Sequence, residues 1–528
     1  MTGTGAISVP KEKIDSVGRV RQFGKFDPRI LKLGFIVLVL GGILFRLVEV
    51  WRPIDQSTRV SWRECDEGSM ARNFWRGDMN ILYPQIDWRR DGDGYVESEF
   101  PLLPWFIALG YKAFGYHEVL GRMLAAAASL LSLFAFYRLG QKLLPSFQAK
   151  CALVFFAYSP VLVDFADNIQ PDVFMLLFVI LAIYFLVDWI ERERSRDLML
   201  CGVFGALAIL LKLPAIYIGL VCALVVLEKH GARAFQNPKV WALMLMMVVP
   251  PLLWYWHAHR FWKLYGNSLG ISNETHWLGM DMLRNPKLFA KFMYHMLRIE
   301  FRKVFGIVGL VLAWFGLSRS IHERRIIAYW ALAALCFYIV ALRTTADDWA
   351  IYYHYLSIPP ACLLMGWGCS PFELAAPPAG ELKSRLAMKN WALGVVSILA
   401  LGLFVLQSVR AVELPFIEKN TFIDGEYRAA KQFAPQLESD ALVVTLGGPC
   451  TDDTGRPVAS DNPAMLFWMD RKGFSICEQE VSLNAIVLAR DRGGKYFAGK
   501  PDEELGAELK RNFRLIDQSD SFVLFALR

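Results

Sequence analysis

Residues 172–189 read DVFMLLFVILAIYFLVDW, and the only charged side chains in the run are Asp172 at its start and Asp188 near its end. A bilayer core about 30 Å thick is crossed by about 20 apolar residues of helix, so this stretch predicts a transmembrane span. Ten further runs read the same way, at 33–50, 118–139, 151–168, 198–211, 213–228, 240–256, 304–318, 326–342, 356–369 and 391–409. The fifth and sixth spans are short and meet at Lys212-Leu213-Pro214, which predicts a tight hairpin. Composition agrees. Of 528 residues, 55% are hydrophobic and 20% charged, against about 25% charged in ordinary soluble domains, and the mean hydropathy is +0.32. Disorder, collagen and coiled coil are excluded, because each needs more charge or a strict repeat. Length and only 9 Cys exclude a small disulfide scaffold.

Lys and Arg in short loops set orientation. Residues 1–32 are rich in them, and further basic loops lie at Arg138/Lys142/Lys150, Arg192/Arg194/Arg196, Lys229/Arg233/Lys239, Arg319/Arg324/Arg325 and Lys383/Arg385/Lys389. Eleven crossings put all of them on one side, the cytoplasm. The expectation is a multi-pass protein of the plasma (inner) membrane with a cytoplasmic N-terminal segment, 1–32. The first helix lacks a small-x-small cleavage site and reads as an anchor. A transmembrane domain follows at 33–409, with 51–117 as its first outer loop and 257–303 as a second outer segment. Residues 410–528 form a soluble extracytoplasmic domain.

That last segment carries 15 Lys and Arg against 19 Asp and Glu, a net of −4, which leaves +11 on the remainder. The basic balance is thus topological, and no nucleic-acid partner is implied. The segment reads as a small α/β domain. Helices are predicted at Asp424–Leu437 and Glu503–Asn512, and strands at Ala441–Leu446, Ala485–Ala489 and Phe522–Leu527. Cys450 and Cys477 lie here, where a disulfide is chemically allowed, although spacing alone does not decide it. The other cysteines sit in or beside apolar runs and read as packing residues.

The first outer loop concentrates polar chemistry. It holds Asp55, Glu64, Asp66, Glu67, Asp78, Asp87, Asp91, Asp93, Glu97 and Glu99, with Trp62, Trp75, Trp88 and Trp105. Tryptophans settle at the membrane interface, so a site at the outer face is expected. Asp66-Glu67 followed by Met70 and Phe74 predicts an amphipathic helix lying on the membrane. Neighbouring residues on a helix point about 100° apart, so Asp66 and Glu67 are expected to serve different tasks.

Asp66-Glu67, Glu99-Phe100-Pro101, Gly121-Arg122, Tyr158-Ser159-Pro160, Pro171-Asp172, Gly205–Lys212 and Tyr352-Tyr353-His354-Tyr355 occur in this order along the chain. This pattern resembles the family 39 glycosyltransferases of the GT-C fold, a group that includes protein O-mannosyltransferases and is similar to the lipid A aminoarabinose transferase. The resemblance implies an α-helical polytopic membrane protein, GT-C-like with about eleven transmembrane helices. It also implies transfer of a sugar from a polyprenyl-phosphate donor to a lipid, glycan or protein acceptor at the outer face. Asp66 would then be the general base that takes the acceptor proton, with inversion at the anomeric carbon. Where the aminoarabinose branch has basic residues after Asp-Glu and inside Glu-x-Pro, this chain has Ser69 and Phe100. Arg72, Lys212, Arg260, Lys263 and Arg298 are therefore the candidate partners of the donor phosphate, and Lys212 is the one with a family counterpart.

Each candidate has a plainer reading. Asp66 can be a helix cap or a solvated carboxylate, and Glu67, a candidate substrate contact, can instead be a partner for an Arg. Glu99 reads as an acceptor contact, a metal ligand, or ordinary loop chemistry before a proline. Lys212 can snorkel to the interface. His257 and His259, with Glu99 or His276, are weak candidates for a divalent metal; no cofactor is otherwise implied. His354 is a candidate substrate contact within an aromatic belt, and Asp172 suits a helix dipole as well as a substrate. Asn273-Glu274-Thr275 is a glycosylation sequon. The competing functions are a transporter or flippase of a lipid-linked saccharide and an assembly scaffold. A transporter needs ionisable groups near mid-membrane, whereas here they collect at one face.

Overall fold

A computed structural model of the chain describes residues 28–54, 61–90, 92–272, 276–370, 393–410, 425–451 and 460–528. The basic stretch up to residue 27, Asp55, Asp91, the sequon at 273–275 and the Lys383/Arg385/Lys389 loop lie outside the described residues.

The chain runs through α1 (Pro28–Phe45), α2 (Ser61–Arg76), α3 (Leu102–Phe114), α4 (Val119–Leu143), α5 (Ser146–Ala157), α6 (Pro160–Asp164), α7 (Pro171–Arg192) and α8 (Ser195–Leu211). It continues with α9 (Ile218–His230), α10 (Pro238–Tyr265), α11 (Met280–Arg284), α12 (Pro286–Ile299), α13 (Gly306–Glu323), α14 (Arg325–Val340), α15 (Leu342–Thr345) and α16 (Ile358–Gly368). α17 spans Leu393–Arg410. Among the described residues six helical stretches are long and apolar enough to cross a membrane: α4, α7, Leu213–Gln236 around α9, α10, Pro286–Glu323 and α17. Shorter apolar helices include α3, α5, α14, α16 and most of α1. The architecture is that of a multi-pass membrane protein.

Each of the eleven predicted runs overlaps helix among the described residues, but the first extends past the end of α1 at Phe45 and the run at 151–168 is broken. α5 starts earlier, at Ser146, and ends at Ala157; Ser159 is extended (φ −58°, ψ 120°) and α6 starts at Pro160. The residue before a proline avoids the helical region, which explains the break. The carbonyls left open at the end of α5 find a partner in Arg46, buried beyond the end of α1. Its guanidinium donates to the Phe156 carbonyl at 2.8 Å and to Ser129 Oγ at 2.5 Å. α7 packs on α4 and α8, α16 on α5 and α13, and α10 on α8. Phe136 and Phe156 stack at the centre, 4.1 Å between ring centroids.

The C-terminal domain comprises α18 (Gly425–Phe433), β1 (Leu442–Leu446), α19 (Ala464–Met469), β2 (Gly473–Ile476), α20 (Leu483–Asp491), β3 (Gly494–Gly499), α21 (Glu503–Asn512), β4 (Arg514–Ser519) and β5 (Phe522–Ala526). The sheet order is β2-β1-β3-β5-β4. β1 pairs in parallel with β2 and β3, and β5 pairs antiparallel with β3 and β4. The strand expected at Ala485–Ala489 is α20 instead. Ser482 caps it by accepting from the Ala485 N–H, and Ile486 and Ala489, three apart, are buried. A short apolar run does not distinguish a buried helix from a strand; here the cap decides. Cys450 and Cys477 are joined in a disulfide.

Candidate active site

α2 carries the acidic motif, and it does not lie on the membrane as an amphipathic helix. Arg63, Glu64, Cys65, Asp66, Glu67, Ser69, Met70, Ala71 and Arg72 are all buried. One face meets Leu103, Ile107 and Tyr111 of α3, and the other meets Phe467 and Trp468 of α19. Burial all round removes the solvent that would otherwise satisfy the carboxylates, so each needs its own partner.

The three acids of the motif point three ways, as their helical spacing requires. Glu64 faces α4 and the loop before α7, taking Arg122 at 3.2 Å and the Ile169 N–H at 3.0 Å. Asp66 Oδ1 accepts from the Trp88 indole N–H at 3.1 Å. Among the described residues no hydrogen bond is made to its other oxygen. Glu67 shares a helix face with Arg63, with 3.9 Å between Nε and Oε1. Trp88 is only 3% exposed and is therefore not the headgroup-level anchor that its residue type suggested.

Beyond Glu67 lies a run of alternating charges. Arg63 Nη2 donates to both oxygens of Glu99, at 2.6 and 2.5 Å. Lys212 Nζ lies 3.5 Å from Glu99 Oε1 and 3.0 Å from Asp172 Oδ2, beneath the rings of Tyr352 and Tyr353 at 4.9 and 5.5 Å. Local folding brings these groups together. α8 ends at Leu211, and Lys212 is extended (φ −157°, ψ 115°) ahead of Pro214. Glu99 is held by its neighbours: the Phe100 N–H donates to the Leu210 carbonyl at 3.0 Å, and Trp254 donates to the Ser98 carbonyl at 3.1 Å. Lys212 thus does not snorkel; it is 4% exposed, between two carboxylates.

Burial pushes the Asp66 carboxyl up to about 7, against the opposing pull of Arg63 and the Trp88 hydrogen bond. Burial likewise pushes Glu67 up to about 8, with Arg63 opposing and Glu99 adding to the rise. Burial would also raise Glu99, but Arg63 and Lys212 outweigh it and hold its carboxyl below the usual value. Burial thus favours the neutral forms of Asp66 and Glu67, while the two cations favour the ionised form of Glu99.

Several expected residues lie elsewhere. Arg72 belongs to the junction with the C-terminal domain, paired with Asp87 and with Asp470 at 3.0 Å, and its guanidinium covers Phe467. Arg260 is exposed on α10 over Trp256, and Lys263 is exposed nearby. Arg298 is half-buried on α12. His354 is fully buried, one ring nitrogen on Glu300 at 2.5 Å and the other on the Thr345 carbonyl at 3.0 Å, so it has no nitrogen left for a substrate. Its neighbours Tyr352 and Tyr353 face Lys212 instead. His257 binds the Leu82 carbonyl and His259 binds Glu97 and Ser272. His276 binds Thr344 and the Gly270 carbonyl. Two apart on a helix, His257 and His259 diverge, and neither is gathered with Glu99 into a metal-sized group among the described residues. The one such group among the described residues is Cys450, Cys477 and Glu480, and its cysteines are committed to the disulfide. Sequence reasoning missed Arg63, although its i,i+4 spacing to Glu67 places both on one helix face.

A family model described as dolichyl-phosphate-mannose-protein mannosyltransferase matches residues 98–256, which include Glu99, Asp172 and Lys212. Among solved structures, ArnT from Cupriavidus metallidurans in the apo state superposes with a TM-score of 0.61 at 12% identity, covering 94% of this chain and 98% of that one. The chain has the GT-C fold. The GT-C likeness extends to the same ArnT bound to undecaprenyl phosphate, with a TM-score of 0.56, 14% identity, and 95% and 99% of the two chains covered. The archaeal oligosaccharyltransferase AglB from Archaeoglobus fulgidus, in complex with an inhibitory peptide and a dolichol-phosphate, gives 0.51 at 9% identity over 94% of this chain and 75% of that one. No curated protein sequence matches this chain.

Proposed function

We propose that this GT-C protein is an integral membrane glycosyltransferase. It moves a sugar from a polyprenyl-phosphate donor to a hydroxyl acceptor on a lipid, glycan or protein at the outer face of the membrane. The observation that carries the reading is Asp66: a carboxyl buried beside the loops, held at one oxygen by Trp88 and with a proton affinity near neutrality. The likeness to ArnT bound to undecaprenyl phosphate and to AglB with dolichol-phosphate supports the donor class.

In this reading the acceptor O–H gives its proton to Asp66 as its oxygen bonds to the anomeric carbon. The bond from that carbon to the phosphate oxygen breaks, and its electron pair stays on the lipid phosphate. Attack from the face opposite the phosphate inverts the centre. Charge growing on the leaving phosphate needs fixed cations. Arg63 and Lys212 are buried together on Glu99 and replace Arg72 and Arg260 in that role. A protonated Glu67 keeps the surrounding charge from turning negative and can donate a hydrogen bond to a phosphate oxygen.

The test gives purified protein a polyprenyl-phosphate-linked sugar and follows product for the wild type and Asp66→Asn. Transfer by the wild type and a loss of about 100-fold or more in the variant are expected. Equal turnover removes Asp66 as the base. Movement of the lipid-linked sugar across the membrane with no new glycosidic bond would favour the flippase.

A further inference from the structure

Asp66 and the indole that holds it sit on separate parts of the first outer loop, and one short stretch of the C-terminal domain grips both. On the Asp66 side, Arg72 donates to the Phe467 carbonyl at 3.0 Å, and Arg76 donates to both carboxylate oxygens of Asp470 at 2.8 and 2.6 Å. Phe467 lies so close to α2 that a Cβ on Gly68 would come within 2.9 Å of its ring. On the Trp88 side, the Gly473 N–H donates to the Asp87 carbonyl at 3.0 Å and the Arg89 N–H donates to the Gly473 carbonyl at 2.8 Å. Trp88 thereby forms a parallel bridge against the edge strand β2. A side chain at position 473 would drive a Cβ to 1.8 Å from the Val443 carbonyl, so this edge is built for glycine. Arg90 adds Asp461 at 2.9 Å, and Lys472 donates to Gln85 and to the Asp93 carbonyl at 2.9 Å each.

We propose that residues 464–473 of the C-terminal domain set the placement of Trp88 against Asp66, making Trp88 a positioning residue that fixes one carboxylate oxygen and leaves the other to meet the acceptor hydroxyl. This rests on the reading of Asp66 as the base. A hydrogen bond to the charged form of a carboxylate favours that form. Without the indole N–H, Asp66 binds its proton more tightly and the base is lost over a wider pH range. The C-terminal domain is then a working part of the catalytic centre.

The test uses full-length protein and reads kcat against pH for transfer from a polyprenyl-phosphate sugar. Trp88→Phe keeps the ring and removes the donor; its acid limb is expected to move up by about one pH unit, with KM for the donor within about twofold. Asp470→Asn, which loosens the grip on α2 without touching either residue, is expected to move the limb in the same direction by less. Thermal melts of both variants show that the fold persists. An unmoved limb in Trp88→Phe, with Asp66→Asn still inactive, overturns the positioning role and leaves the base assignment standing. An Asp470→Asn profile identical to wild type overturns the domain's part. Wild-type turnover in Asp66→Asn sinks the base reading itself, and this inference with it.

Discussion

Arg63 and Lys212 hold the same carboxylate: Glu99 takes Arg63 at 2.5 Å and Lys212 at 3.5 Å, and all three side chains are nearly withdrawn from water. Removing one partner of a buried ion pair strands the others and costs about 3–5 kcal/mol. Glu99→Gln is therefore expected to lower the melting temperature of the detergent-solubilised protein markedly. Arg63→Met should then restore part of the loss, because it removes the cation that Glu99 had held at both oxygens, whereas Lys212 keeps Asp172 at 3.0 Å. A Glu99→Gln melt equal to wild type would show that water reaches this cluster.

Asp66 is buried where its carboxyl changes ionisation near neutrality. Burial holds its carboxyl near 7, and a base acts only when deprotonated. The rate of transfer should rise with pH through an acid limb near neutrality. Asp66→Asn should lose roughly 10²–10⁴ in kcat while melting like the wild type, since its amide oxygen can still accept from Trp88.

The same two raised carboxyls make stability depend on pH. Asp66 and Glu67 bind protons up to about 7 and about 8 in the folded protein, but release them near 4 when unfolded. Between those values the folded state holds more protons than the unfolded one, so stability falls as pH rises. Melting temperature should decline from about pH 5 to about pH 8, and Glu67→Gln should flatten that decline. A melting temperature that climbs steadily through this window would contradict the burial of both groups.

Arg72 is expected to be a structural cation, and Lys212, on the proposed reading, to meet the donor phosphate. Arg72 joins α2 to Asp87 and Asp470, so Arg72→Met should destabilise by about 3–5 kcal/mol and leave KM for the lipid donor within about twofold in the protein that folds. Lys212→Met should raise that KM or depress kcat by about tenfold or more, through loss of phosphate contact. Saturation curves in the donor distinguish the two.

The Cys450–Cys477 bridge closes a loop with a sequence separation of 27, a span for which chain entropy gives about 3.5 kcal/mol. Reductant should lower the melting temperature of the wild type. The Cys450→Ser, Cys477→Ser double variant should melt at that lower temperature in both conditions.

The membrane helices were legible because their signal is local: an unbroken apolar run needs no partner to be recognised. Their ends were less so. The break at Tyr158-Ser159-Pro160 carried a visible proline, yet the apolar run on both sides masked it. Asp66, Glu67 and Glu99 could be singled out as candidates, as acids clustered in a long segment between apolar runs. Arg63 stood in the same motif, but its role depends on which face of α2 meets Glu99, and that is a property of packing. His354 was misread for the converse reason. Its aromatic neighbours marked an interface, whereas Glu300, 54 positions away, claims its ring.

By itself the sequence determined the multi-pass architecture, the acidic loop after the first apolar run and the C-terminal α/β domain, because apolar length, charge content and periodicity act over a few neighbouring residues. Tertiary structure alone decided which charges meet. It buried α2 between α3 and α19, set Trp88 on Asp66, and drew Arg63, Glu99, Lys212 and Asp172 into one water-poor cluster. The physical reason is that the strength of a charge contact depends on distance and on exclusion of water, and both arise from segments tens to hundreds of residues apart in the chain.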